Sequence, residues 1–423
     1  MSVILILLIS ISGGDTLHFT LVQAVDYALE NNPEIEQLEL EYARAQTGVN
    51  KAISAFYPSI SATGGYAYLT DVPVFQLDSM PIPMGQNENY SLQVSLQQVL
   101  FAWGKIYNAY KISDLGKEIA ELKLVRKKQE LRCAVSDAFY GLLVLEDMVQ
   151  VSQKSLAQLK RHARAVEERY KAGLVSQFDL LRARVQVSNL KPRVIKAEHG
   201  LNLAREGFKM LLGMDLAADF TISGELKMVD EDFVLEELVD EALLNRIELK
   251  NLMKVKEIAR LNEAIMRRSN LPVVVAGATY ERKKPFSFTS GEWGSNVIFN
   301  IGFQVPIFTG FKNFYQQRDA ALQLREAELA LENLKKAIRL EVKKAYLNFV
   351  AAKEALLTAE KNVSQAEKAF EIIEKRYKNG LATNLEYMDA QLAAMQARTN
   401  YLSALKDYYS SKAEIQKAIG KEE

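Results

Sequence analysis

One stretch of this chain is written twice. Arg169-Tyr170-Lys171-Ala172-Gly173-Leu174 returns 207 residues later as Arg376-Tyr377-Lys378-Asn379-Gly380-Leu381, and the same offset pairs Leu100-Phe101 with Ile307-Phe308 and Lys105 with Lys312. Upstream the offset is 214, where Val25-Asp26-Tyr27-Ala28-Leu29 matches Val239-Asp240-Glu241-Ala242-Leu243 and Pro58 matches Pro272. The change of offset places seven extra residues in the first copy, between Pro58 and Leu100. A duplication constrains the fold more than any local pattern, because both copies must build the same kind of unit.

Within each copy the longest signal is helical. Leu324, Ala327, Leu331, Leu334 and Ile338 step by three and four, and Val342, Ala345, Phe349, Ala352, Leu356, Ala359, Val363, Ala366, Phe370, Ile373 and Tyr377 continue the series. Two consecutive steps of four, Leu334-Ile338-Val342, form a stutter that locally unwinds a left-handed supercoil. In the first copy Ala138, Leu142, Leu145, Val149, Leu156, Leu159, Ala163, Val166 and Tyr170 keep the register, with polar Ser152 the exception. The pattern predicts long helices over 104–171 and 310–379, return helices over 175–212 and 383–419, and shorter leading helices over 20–54 and 237–268. A long helix of this kind reaches about 100 Å, and a return helix of about 57 Å plus a leading helix of about 50 Å match it end to end. A rod with one long and two stacked short helices per copy is the expected form. Pro192 should kink the first return helix, since it has no N–H to give.

Between the leading and long helices each copy alternates. Ser91-Leu92-Gln93-Val94-Ser95-Leu96-Gln97 and Asn296-Val297-Ile298-Phe299-Asn300-Ile301-Gly302-Phe303-Gln304-Val305 each put one apolar face opposite a more polar one, with weaker partner strands over Ser59–Tyr68 and Val273–Arg282. Strands of about ten residues patterned this way suit a transmembrane barrel. A soluble antiparallel sheet covered on one side would alternate the same way. The membrane reading is favoured because the helices project away in their own seams and leave nothing to cover the apolar face. Four strands per chain cannot close, and lipid does not tolerate open edges, so closure requires several chains. Three copies would supply twelve strands. Tyr57, Tyr66, Tyr68, Trp103 and Trp293 are candidates for interfacial girdles. The joining segments, 69–90 and 283–296, read as surface loops, Met80 and Met84 included.

Composition excludes several classes. Lys+Arg and Asp+Glu both number 53, so no basic excess points to nucleic acid. The single cysteine, Cys133, rules out an intrachain disulfide and a multi-cysteine metal site, and reads as a small buried hydrophobe. His18, His162 and His199 show no ligand spacing. Neither a phosphate loop, nor a zinc-binding HExxH, nor a nucleophile elbow is present, so no enzyme, cofactor or resident metal is expected. The apolar run Val3–Ile11, followed by Ser12-Gly13-Gly14, has signal-peptide length and is too short to span a bilayer. Because it lacks a basic n-region, a buried strand or a mis-set start stays open as an alternative. No cysteine follows it that could carry a lipid anchor.

The order of these features resembles the TolC-like outer-membrane efflux protein family. The resemblance rests on the doubled helix, strand pair, long helix and return helix, together with Ala28-Leu29, Asn31-Asn32-Pro33-Glu34, Tyr57-Pro58, Leu100-Phe101 and the Arg-Tyr-Lys-x-Gly-Leu tips. It implies a mainly α fold with a membrane β-barrel portion. The expected assembly is a homotrimer, with a twelve-stranded barrel in the outer membrane of a Gram-negative-type bacterium continued by an α-helical coiled-coil tunnel through the periplasm. Its partners would be a periplasmic adaptor protein, an inner-membrane transporter and outer-membrane lipid, with no nucleic acid. The expected division is a signal peptide 1–14, a short helix 15–56, membrane strands and loop 57–103, a hairpin 104–213, an equatorial connector 214–236, a short helix 237–270, membrane strands and loop 271–309, and a second hairpin with the C-terminus 310–423. A soluble periplasmic coiled-coil adaptor or scaffold protein is the rival reading, although an adaptor would be expected to show one hairpin flanked by small β domains.

A conduit should carry its chemistry at its constriction. At the second tip Thr383-Asn384-Leu385-Glu386 opens the return helix, and Asp389 lies on the same face as Glu386. At the first tip Ser176-Gln177-Phe178-Asp179 does the same, with Arg182 in the place of Asp389. Glu386 and Asp179 also fit capping boxes and the helix dipole, which need no gate. A cap does not explain Asp389. In a threefold assembly Glu386 and Asp389 would form two carboxylate rings that favour cations, and crowding should raise some of their pKa values. The resemblance implies the same, since an acidic pair at these positions lines the family's periplasmic entrance. Tyr377 and Arg376 are expected to hold neighbouring hairpins shut, with Tyr170 and Arg169 as counterparts. Where some members place an arginine two residues after the tip glycine, this chain has Ala382, so Arg182 or Arg376 would have to substitute. Gly173, Leu174, Gly380 and Leu381 are the expected adaptor-contact tips, alongside their simpler role as helix C-caps.

Overall fold

The computed structural model describes residues 17–77, 80–226, 231–287 and 291–421, so the expected signal peptide lies outside the described residues. In chain order the elements are β1 (Leu17–Phe19), α1 (Leu21–Asn31), α2 (Pro33–Ile53), a 3-10 turn (Ser54–Phe56), β2 (Ser59–Tyr68), β3 (Val74–Leu77), β4 (Met80–Pro83), β5 (Glu88–Phe101), α3 (Lys105–Lys171) and α4 (Gln177–Leu212). They continue with β6 (Phe220–Ile222), α5 (Leu235–Asn245), α6 (Ile247–Arg267), β7 (Val273–Lys284), β8 (Gly294–Gln304), α7 (Lys312–Lys378) and α8 (Asn384–Ile419). The helices of the two copies have equal lengths: 11 and 21 residues for the leading pair, 67 for the long helix and 36 for the return.

The leading helix is broken, which corrects the expectation of one helix over 20–54 and one over 237–268. Pro33 occupies the first position of α2, where its missing N–H is no loss. Asn32 makes the joint by accepting from Glu34 N at 2.9 Å and donating to Leu211 O at 2.9 Å. The second copy breaks at the same place without a proline. There Arg246 turns out of the helix and bonds Glu248 (3.1 and 3.0 Å) and Glu341 (2.6 Å) while itself buried. Helix α4 contains Pro192 and continues to Leu212. Cys133 sits in α3 half-buried rather than buried.

Two compact units divide the chain. One comprises residues up to Glu39, Lys123–Leu249 and Asn333 onward; the other comprises Leu40–Leu122 and Lys250–Glu332. The first contains a core of Phe19, Ala28, Leu131, Val135, Phe139, Leu142, Phe208, Leu212 and Phe220. Its connector supplies β6, which pairs in parallel with β1. Gly213 closes α4 in the left-handed region (φ +73°), and a Cβ there would lie 2.3 Å from the Asn31 carbonyl, so only glycine fits. The heptad seam is buried at Ile338, Val342, Ala345, Phe349, Leu356, Ala359 and Val363 in α7 and at Leu142, Val149, Leu159 and Val166 in α3; its other expected apolar positions are half-buried, and Tyr170 is exposed.

The second unit holds one four-stranded antiparallel sheet in the order β2-β5-β7-β8. The register pairs Leu92 with Arg282, Val94 with Tyr280, Leu96 with Ala278, and Ala278 with Phe299. One face therefore carries Ile60, Ala62, Leu92, Val94, Leu96, Ala278, Val297, Phe299, Ile301 and Phe303, and the other Ser61, Thr63, Gln93, Ser95, Gln97, Thr279, Asn296 and Asn300. The apolar face is open, with Phe299 at 81% and Ile301 and Phe303 at 77% exposure. The segment expected as a plain loop, 69–90, holds its own antiparallel pair, β3 with β4. No described helix is long and apolar enough to cross a membrane.

Candidate gate at the hairpin tips

Both tips are built alike. Gly173 and Gly380 adopt φ +72° and +75° with open space around them, and the next residue's N–H returns to the carbonyl five back, Leu174 N to Arg169 O (2.9 Å) and Leu381 N to Arg376 O (2.8 Å). These bonds form Schellman C-caps, which glycine allows because it has no Cβ to clash in the left-handed region. Leu174 and Leu381 are thereby thrown out to solvent at 74% and 67% exposure. Each return helix then opens with a complete capping box: Ser176 with Asp179, and Thr383 with Glu386. In the second, Thr383 N donates to Glu386 Oε2 at 2.7 Å and Glu386 N donates to Thr383 Oγ1 at 3.2 Å.

The capping bonds set the carboxylate electrostatics. Backbone and side-chain hydrogen bonds from Thr383 hold Glu386 below the usual carboxylate range, and the Ser176 hydroxyl does the same to Asp179. Within one chain this is opposite to the raised values expected from crowded carboxylates, because cap donors rather than like charges face these oxygens. Asp389 has no cap role. Its Oδ1 lies 4.0 Å from Arg182 Nη2, and both side chains are partly exposed. Arg182 thus sits opposite the acid that replaces it in the second copy, at the reach of a weak surface ion pair.

Tyr377 and Arg376 have roles inside the chain. Arg376 Nη2 donates to Leu381 O (3.2 Å), so it braces its own tip. Tyr377 lies under the Arg169 guanidinium (5.1 Å) and beside Tyr387 (5.1 Å) and His162 (5.2 Å). Tyr170 remains exposed.

The group that joins the two hairpins was not singled out in the sequence. His162 of α3 is buried, stacks on Tyr387 of α8 (4.2 Å, 20°), and places Nε2 2.6 Å from Asn384 Oδ1. Asn384, also buried, directs Nδ2 to the Asp179 carbonyl (3.3 Å) and Oδ1 (3.5 Å). Since the amide nitrogen faces those acceptors, its oxygen accepts, and His162 is the Nε2–H donor. Val166, Leu180, Ala183 and Met388 pack around this junction, with Phe370, Ile373 and Tyr377 against them. Burial lowers the His162 pKa, the Asn384 bond opposes the shift, and Arg169 adds to it. Burial raises the Tyr377 and Tyr387 phenols. The available signal was a failure of the repeat: at the offset of 207, His162, Asn384 and Tyr387 correspond to Ala369, Gln177 and Leu180.

Comparison with known proteins is consistent with this architecture. The sequence matches the outer membrane efflux protein family over residues 24–214 and 238–421. It is 22% identical to the outer membrane protein TolC of Vibrio cholerae, over 95% of this chain and 90% of that protein. Among solved structures, the fold is similar to the outer membrane protein VceC of Vibrio cholerae, with TM-score 0.78, 18% identity, and 95% and 96% of the two chains covered. It is similar also to the CmeC outer membrane channel of Campylobacter jejuni, with TM-score 0.82, 17% identity, and 95% and 85% covered. The chain belongs to the outer membrane efflux protein family, as a TolC-like protein of the outer membrane.

Proposed function

We propose that the protein is a passive exit duct of a tripartite efflux or type I secretion system, gated at its periplasmic tip. Three copies join their sheets edge to edge into a twelve-stranded barrel, so that no edge is left open in lipid. The observation that carries this is the sheet itself: four strands with a largely apolar face, a mostly polar opposite face and two free edges, β2 and β8. A soluble scaffold would have to cover the eight exposed apolar positions Ile60, Ala62, Leu92, Val94, Val297, Phe299, Ile301 and Phe303, which nothing in this unit covers. No enzymatic step is part of the function.

At the tip, Glu386 and Asp389 from three copies make carboxylate rings that favour cations and resist anions. Asp179, on the first tip, adds charge beside them, and Arg182 tempers Asp389. Arg376 keeps the second tip rigid, and Tyr377 belongs to the junction between hairpins. Closure then depends on the His162–Asn384–Asp179 junction, which ties the second hairpin to the first within each chain. The surface-thrown Leu174 and Leu381, set out by Gly173 and Gly380, are the proposed contacts for a periplasmic adaptor protein that leads to an inner-membrane transporter. The test is a Glu386→Ala, Asp389→Ala double variant in a planar bilayer. It should lose cation selectivity and divalent block while keeping the barrel; unchanged selectivity would remove the carboxylates from the gate.

A further inference from the structure

The apolar face of the sheet does not end in plain polar residues at the far end of the strands. Chain order fixes which end this is: α2 leads into β2 at Ser59, and β5 and β8 lead out toward α3 and α7, so Tyr68, Glu88, Lys284 and Gly294 lie at the end away from the helices. Because the helices are periplasmic, that end meets the outer leaflet. On this face Tyr66 packs on Tyr90 (5.0 Å), Tyr90 on Trp293 (5.8 Å), and the Arg282 guanidinium lies over Trp293 (5.5 Å). Lys284, two residues beyond Arg282, shares the face and pairs with Tyr90. The remaining charge on the row is Glu88, one step farther out and engaged by the Tyr90 hydroxyl at 3.2 Å. Glu281 and Lys283 point to the opposite, polar face and pair with each other at 3.6 Å.

Two cations on a lipid-facing surface need a reason, since charges there are destabilising toward the bilayer middle and tolerable only near the interface. Tyr and Trp mark that interface, and Arg and Lys stems bury along apolar surface while the heads reach polar groups. We propose that Arg282 and Lys284, set in the Tyr66–Tyr90–Trp293 platform, form a binding site for a phosphate of an outer-leaflet lipid. Phosphate matches both cations. Arg282 can offer a fork of donors while its plane stays on Trp293, and Lys284 supplies a point charge beside it. Acyl chains below would then lie along Leu92, Val94, Val297 and Phe299. The site rests on the outer-membrane channel reading, because only there does this face meet that leaflet.

The experiment is native mass spectrometry of the purified full-length protein in detergent, titrated with diphosphoryl lipid A and, separately, with the same lipid stripped of phosphate. Wild type should bind the phosphorylated lipid in preference. An Arg282→Gln, Lys284→Gln double variant should lose roughly 30-fold in affinity, from about one cation's worth of interfacial attraction at each position. Lys283→Gln, on the polar face, should bind as wild type. Equal binding by the double variant, an equal loss in Lys283→Gln, or full displacement by millimolar inorganic phosphate would each overturn the lipid site. Channel conductance measured on the same preparations separates the two levels of failure: conducting protein without the lipid preference refutes this site alone, whereas inserted, folded protein that stays silent at acid as well as neutral pH refutes the reading beneath it.

Discussion

Replacing Asn384 by alanine should loosen the tip without unfolding the protein. The side chain joins two hairpins through one short bond, His162 Nε2 to Asn384 Oδ1 at 2.6 Å, between two buried groups. Its contacts to Asp179 at 3.3 and 3.5 Å are long and contribute less. Truncation leaves the His162 N–H buried without a partner, which costs about 1–3 kcal/mol. Taking ~2 kcal/mol, the ratio of parted to joined hairpins rises about 30-fold. A tip that is open about 1% of the time would then be open roughly a quarter of the time. The core around Phe139 and Phe208 shares no residue with the tip cluster, so thermal unfolding of the bulk should move little. The assay is open probability in single-channel records from planar bilayers, with circular dichroism melts as the control. Wild-type open probability in a folded Asn384→Ala protein would refute the junction as a latch.

Acid should open the same junction. His162 has a lowered pKa because it is buried. The unfolded chain therefore takes up its proton first, and the stability of the joined tip, complete at neutral pH, falls as pH drops below about 6.5 toward the folded value. Arg169 faces the ring from its own helix, and Asp179 and Glu386, both lowered, stay ionised through this range, so His162→Gln should flatten the open-probability profile between about pH 5 and 7. In the sheet, Phe299→Lys on the apolar face should destabilise the assembled barrel by about 2–4 kcal/mol, read as the urea midpoint in lipid. Asn300→Lys, one residue on and facing the other way, should assemble normally and shift conductance instead; equal tolerance of the two would return the sheet to a soluble role.

Much of the fold was readable because its signals are periodic. The seams run through α3 and α7, helices of 67 residues each, and glycine and capping residues mark their ends, so the hairpins could be bounded within a few positions. Strand faces followed from alternation, although only pairing could show that the apolar faces of β5 and β8 coincide. Short, non-local structure was missed. Strand β1 has three residues, and its partner β6 lies about two hundred residues away, so neither makes a local pattern. The break at Arg246 has no proline to announce it and is held by ion pairs to Glu248 and Glu341. At the tips, Glu386 and Asp179 were legible as caps, whereas the role of Asp389 depends on Arg182 from another helix. His162 looked inert because its partners are an amide and two phenol rings, which carry no ligand spacing along the chain.

The central claim is that this sheet closes into a conducting barrel whose entrance is held by acids. Single-channel recording of the purified protein in a planar bilayer tests it most directly. The account predicts small, cation-selective steps that divalent cations block from the tip side. Silent bilayers from protein that has inserted and kept its helical and strand spectrum, at acid as well as neutral pH, would contradict it.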